Sequence, residues 1–149
     1  MTCGSLWKSI NMGILLITIT LPAVSLAQPN KSCPDKAQAF WKEFRQAALQ
    51  PDITTLANMV HFPLEVRGTL DDSPSRQINK DEFNKILPEL LATDPGMSAI
   101  PTTMKNYIQD IETVQKKACN KRGSQFRVGS WVFVKKNSNW LLVQAFVEE

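Results

Sequence analysis

The chain of 149 residues contains one histidine, one tyrosine, three cysteines and six glycines. Those small numbers exclude several chemistries. A zinc site needs four nitrogen or sulfur ligands at short spacings. Here there is no CxxC pair, and His61 has no ligand partner near it in sequence. No G-x-S-x-G elbow and no glycine-rich phosphate loop occurs. No metal and no cofactor is therefore expected. Nor is there an excess of charge of one sign: 17 basic residues face 14 acidic ones. The basic residues are dispersed, and the densest stretch, "QKKACNKRG" at 115–123, is short. It reads as a solvated loop rather than a phosphate-binding stripe, so nucleic acid is not an expected partner.

A long hydrophobic run occurs once, at the start. Lys8 is the sole charge in the first 27 residues, and "MGILLITITLPAVSLA" ends in Ser25-Leu26-Ala27. A short apolar stretch closing on small residues is the pattern of a secretory signal. The run is shorter than the ~20 residues a spanning helix needs, which disfavours the alternative of a retained anchor. Residues 1–27 are accordingly read as a signal peptide and 28–149 as one exported domain, periplasmic or secreted. That domain has 122 residues and a formal charge near +2, enough chain for one core. It retains Cys33 and Cys119. Two cysteines in an exported chain are expected to pair. The bond would close a loop of 86 residues, worth about 4 kcal/mol on the chain-entropy model. Asn30-Lys31-Ser32 also fits a glycosylation sequon.

The domain reads as α+β, with N-terminal helices packed on a curved antiparallel sheet. In "SCPDKAQAFWKEFRQAAL" Ser32 caps a helix whose buried stripe is Ala37, Phe40, Trp41, Phe44 and Ala48, with Lys36, Lys42, Glu43 and Arg45 on the wet side. A second short helix follows Asp52, with Ile53, Leu56 and Val60 inward. "RQIN" is a short returning strand. Asn79 and Glu82 form a capping box, and the helix they start turns Phe83, Ile86, Leu87, Leu90 and Leu91 to one face. A further helix from about Thr102 presents Met104, Tyr107, Ile108 and Ile111. Two long strands close the chain, at about 124–136 and 139–148, around a tight turn in "KKNSN". In the first, Phe126, Val128, Val132 and Val134 share one face, and Arg127, Trp131, Phe133 and Lys135 the other. The second is apolar on both faces, so one face should meet the helices and the other a further layer or subunit.

The octet "HFPLEVRG" at 61–68 alternates. Phe62, Leu64 and Val66 share one face of a strand, and His61, Glu65 and Arg67 share the other. Pro63 cannot donate to a ladder, which suggests an edge. If the strand were inverted, His61 and Glu65 could act as a base and its orienter. The better expectation buries the apolar trio.

This order of elements resembles the nuclear transport factor 2-like fold, the cone shared with ketosteroid isomerases. The resemblance rests on "FWKEFRQAALQPDITTLANMVHFPLEVRG", "INKDEFNKILPELL" and "GSWVFVKKNSNWLLVQAFVEE". The segment 95–120 departs from it, and two long strands stand where three or four are usual. The resemblance implies a pocket between sheet and helices, used for catalysis, for small apolar ligands or simply as core, and dimerisation through the sheet. Isomerase chemistry would need a tyrosine on or near the early helices, yet Tyr107 lies in the departing segment. Three functions remain: a non-catalytic binding module for a protein partner or small apolar ligand, a dimeric structural protein of the envelope, and a small dehydratase- or isomerase-type enzyme. The binding module is favoured over the enzyme. The residues open to a ligand or partner are His61, Glu65, Arg67, Tyr107 and Trp131.

Overall fold

The computed structural model describes residues 33–50, 52–96 and 99–148. The expected signal segment, Ser32 and the expected sequon lie outside them. Among the described residues, four α-helices and five strands follow in the order α1 (Asp35–Leu49), α2 (Ile53–Asn58), β1 (Val60–Gly68), β2 (Ser75–Ile78), α3 (Lys80–Ala92), α4 (Met104–Asp110), β3 (Gln125–Val128), β4 (Trp131–Lys136) and β5 (Asn139–Val147). The domain is α+β. Its one sheet has the strand order β2-β1-β5-β4-β3.

Three of the four described α-helices start on a side-chain cap, whereas α1 begins directly after Pro34, which makes none, so its N-cap is not the expected Ser32. Asn79 Oδ1 accepts from the backbone N–H groups of Asp81 and Glu82, and the Glu82 carboxylate accepts from Asn79 N–H at 3.0 Å. Both halves of the capping box are thus made. Asp52 accepts from Thr55 N–H at 3.0 Å. Hydrogen bonds from the Thr55 backbone and side chain hold the Asp52 carboxyl below its usual range. The cap is therefore complete at neutral pH and is lost as pH falls through that lowered value. Ile53, expected inward, is 38% exposed. Helix α2 spans only six residues, and Leu56 with Ala57 supplies its whole buried face.

The sheet is mixed rather than antiparallel. β1 pairs antiparallel with β2 on one side and parallel with β5 on the other. β1 is consequently not an edge strand, and Pro63 is tolerated for a different reason. Pairing with β5 is irregular between Val60 and Glu65, and pairing with β2 begins only at Leu64. Pro63 falls in this gap, where no ladder donor is required. The Phe62–Pro63 peptide bond is cis. Val60, Leu64 and Val66 are buried, and Phe62 packs edge-on against Phe83 at 5.6 Å.

The stretch 124–136, expected as one strand, is two. Gly129 and Ser130 form a two-residue turn closed by the pair Val128↔Trp131. Gly129 has φ +54°, as the first central position of a type II′ hairpin turn requires. Folding back puts Phe126 opposite Phe133, with their rings stacked at 4.7 Å. The two phenylalanines thus share the inner face, contrary to the alternation of a single strand. Asn137 and Ser138, at φ 47° and 72°, make the second hairpin turn, with the two positive φ values of type I′. In β5 an extra residue at Val143 shifts the register against β4. Trp140, Leu142 and Ala145 are buried, whereas Phe146 moves to the outer face.

Aromatic rings from α1 and from the sheet meet on the inner face. Phe133 lies 4.9 Å from Phe44, 5.8 Å from Phe40 and 5.9 Å from Trp41, all edge-on. Phe44 also meets Trp131 at 5.6 Å. These are the tilted and T-shaped contacts that ring quadrupoles favour. Helix α1 is thereby fixed across β3 and β4.

Gly129 offers a test of this packing. A Cβ built there would stand 2.7 Å from Met104 Sδ and 3.0 Å from Pro95 Cβ. Met104 is wholly buried and holds Ser130 Oγ at 3.6 Å, so its sulfur has little room to swing aside. Gly129→Ala is expected to destabilise the domain by about 2–3 kcal/mol, from positive-φ strain together with overpacking. Gly96 also has positive φ but has nothing within 4 Å, so Gly96→Ala is expected to cost only the strain, about 1 kcal/mol. Paired urea denaturation would check the ranking, which fails if the two variants unfold at the same midpoint.

Candidate functional cleft

Helix α1 carries a polar stripe beside its apolar one. Gln38, Trp41 and Arg45 lie on successive turns and reach the chain between α4 and β3. The Gln38 side-chain amide donates to Val114 O at 2.7 Å and accepts from Val114 N–H at 3.1 Å. Trp41 Nε1 donates to Ile111 O at 2.9 Å. Arg45 Nε donates to Ile108 O at 2.8 Å, and its Nη2 donates to Gln109 O. The last two carbonyls end α4, where a cation also complements the helix dipole. Arg45, assigned to the wet side on periodicity, is therefore half-buried and structural.

A second tie adjoins this one. Cys33 and Cys119 are disulfide-bonded, with Cα atoms 6.0 Å apart. Cys33 N–H donates to Val114 O at 3.1 Å. Beyond a short 3₁₀ turn at Lys116–Ala118, Cys119 makes an isolated bridge to Phe126 on the edge strand β3. The segment 111–119, without long helix or strand of its own, is held at both ends.

Between this segment, α4 and the β3–β4 turn lies an open cleft of about 520 Å³. Ile111, Val114, Ala118 and Val128 give it an apolar floor, with the Tyr107 ring at one side. Thr113, Gln115, Lys117 and Arg127 stand around the rim, and the Gly129 backbone closes the end. The volume is within the range of small-molecule sites. Arg127 is set by two contacts: Nε donates to Gly129 O at 2.8 Å, and the guanidinium lies 4.8 Å from the centre of the Phe146 ring. A shallower groove of about 380 Å³ runs between α2, α3 and α4, lined by Ile53, Leu87 and Leu91 among others.

Of the five residues singled out by sequence, Tyr107 alone lines the larger cleft. Trp131 is wholly buried against Phe44. His61, Glu65 and Arg67 are half-buried on β1. Glu65 stands opposite Gln77 and Gln144, and Arg67 opposite Ser75 and Phe146. Arg67 Nη2 donates to Asp71 O at 3.2 Å. Lys117 and Arg127 were the residues missed. Lys117 sits within the basic run, where composition indicates only solvation. Arg127 shows its role only when the hairpin at Gly129 brings β3 to the sheet edge. Among the described residues, no cluster of three or more His, Cys, Asp or Glu could hold a metal ion. No described helix is long and apolar enough to cross a membrane.

The Gln38 clamp predicts a measurable cost. Val114 is buried, and its N–H has the Gln38 carboxamide oxygen as its partner. Gln38→Met keeps the length of the side chain but orphans that donor, which should cost about 1–3 kcal/mol. Chemical denaturation would register it, and a loss below about 0.5 kcal/mol, the ordinary effect of a surface change, would remove the clamp from the account of the cleft. Comparison with known proteins finds no matching family model, no matching curated protein and no matching solved structure.

Proposed function

We propose that this chain is an exported, non-catalytic binding module whose cleft at the β3 edge takes a small apolar ligand. The observation that carries the reading is the cleft itself: an apolar floor, pinned by a disulfide and by the α1 clamp, yet open at the surface. Pre-formed walls lower the ordering cost of binding. No carboxylate or histidine is among the residues lining it, which favours binding over the dehydratase or isomerase alternative. A disulfide in a small domain is compatible with an oxidising, exported location. The strand order β2-β1-β5-β4-β3, with helices on one face, supports membership of the nuclear transport factor 2-like fold as part of the same proposal.

The test is a titration with N-phenyl-1-naphthylamine, an uncharged fluorescent probe. Saturable binding to the disulfide-bonded protein is expected, with roughly tenfold or greater loss in Ala118→Phe, which fills the floor. No saturable binding, or binding indifferent to Ala118→Phe, would overturn the reading.

A homodimer through the sheet is a second reading, favoured by the outer face. Val134, Leu141, Val143 and Phe146 are all part-exposed there, and among the described residues no helix covers them. Sedimentation velocity should then find a dimer that Leu141→Lys with Val143→Lys dissociates. A monomer at all concentrations up to about the millimolar range would exclude a specific dimer.

A further inference from the structure

The two charged side chains that line the cleft are both cationic. Tyr107 offers a hydroxyl, Lys117 an ammonium and Arg127 a guanidinium, and all three line the cleft. Arg127 spends Nε on Gly129 O, and its remaining N–H groups have no acceptor among the described residues. Among the described residues, neither Lys117 nor Arg127 has an acidic partner, and the Tyr107 hydroxyl makes no hydrogen bond. Three unspent donors, two of them cationic, thus surround an apolar floor that contains no acid. Both cations are exposed to solvent. Here their arrangement beside Ile111, Val114 and Val128 suits an amphipathic anion.

We propose that the ligand of this cleft is a small amphipathic carboxylate, its apolar tail on the floor and its head between Lys117 and Arg127, with Tyr107 as a third donor. This rests on the reading of the cleft as a ligand site. The Phe146 ring and Gly129 O both contact Arg127, so the guanidinium is pre-positioned and loses less freedom on binding. The donors are near the surface, where charge interactions are screened. Affinity should therefore fall as salt rises, while the tail's contribution should not.

The experiment compares dodecanoate with dodecan-1-ol by isothermal titration of the disulfide-bonded protein, below the critical micelle concentration. The carboxylate is expected to bind at least tenfold more tightly than the alcohol. The double variant Lys117→Gln, Arg127→Gln should abolish that preference. Lys85→Gln with Lys135→Gln, which removes two exposed cations elsewhere, should keep it. Equal affinity of acid and alcohol would overturn this inference and leave the cleft reading intact. Binding of neither would overturn both. A preference that survives the double variant would place the carboxylate elsewhere and overturn the proposal. A peptide with an apolar residue and free carboxylate at its C-terminus, bound more tightly than dodecanoate, would replace the small molecule by a protein tail and overturn it as well.

Discussion

The two hydrogen bonds between the Gln38 carboxamide and the Val114 backbone are the constraint on which the helix side of the molecule depends. The segment 111–119 has neither the length of a helix nor a strand partner along most of its course. Its buried backbone groups must still be paired. The Gln38 side chain does for Val114 what a neighbouring strand would do, donating to its carbonyl and accepting from its amide. Trp41 and Arg45 continue the same service one and two turns along α1, at Ile111 and at the end of α4. A helix that presents an apolar stripe to the sheet thus presents a polar stripe to a loop. The cleft exists because that loop stands off from β3 instead of collapsing onto it.

The disulfide acts on the same segment from the other end. Its 86-residue separation closes a long loop, so its main effect is on the unfolded ensemble. Locally, it keeps the start of α1 beside the strand-like bridge at Cys119. The side-chain clamp is a native-state interaction, and the covalent bond is chiefly an entropic one. Loss of either would leave the aromatic core standing, because Phe44 and Phe133 engage each other independently of residues 111–119. What would be lost is the definition of the cleft wall.

Much of the fold was legible in the sequence wherever the determining contacts are local. The capping box at Asn79 and Glu82, the Asp52 cap, the apolar stripe of α1 and the turn at Asn137-Ser138 are set by residues within a few positions of one another. The cysteine pair was legible by count. What was not legible depended on distant partners. Arg45 looks solvated by periodicity, since its acceptors lie 63 and 64 residues away. Gly129 sits in a run of strand-forming residues and, judged by its neighbours alone, could be a bulge as well as a turn. The extra residue at Val143 leaves no local mark, because both faces of that strand are apolar. Pro63 suggested an edge strand, but β1 is interior and the proline sits in a gap in its pairing. The candidate site was the least legible part. Tyr107 was identifiable as the one tyrosine, whereas Lys117 and Arg127 come together only through the hairpin and the disulfide.

The bulge at Val143 connects these observations. By shifting the alternation of β5 it buries Ala145 and sends Phe146 outward. A small residue opposite Trp131 leaves room for the indole, which in turn meets Phe44 and fixes α1 over β4. The outward Phe146 then lies within 4.8 Å of the Arg127 guanidinium, a cation–π contact at the rim of the cleft. One inserted residue thereby serves both faces of the sheet: on the inside it admits a wholly buried tryptophan, and at the edge it supplies the ring that orients the cation. The apolar floor is a consequence of core packing, and the charge at its rim is a consequence of strand register. Their meeting at the β3 edge gives a surface both apolar and cationic, in a domain whose overall charge is nearly balanced.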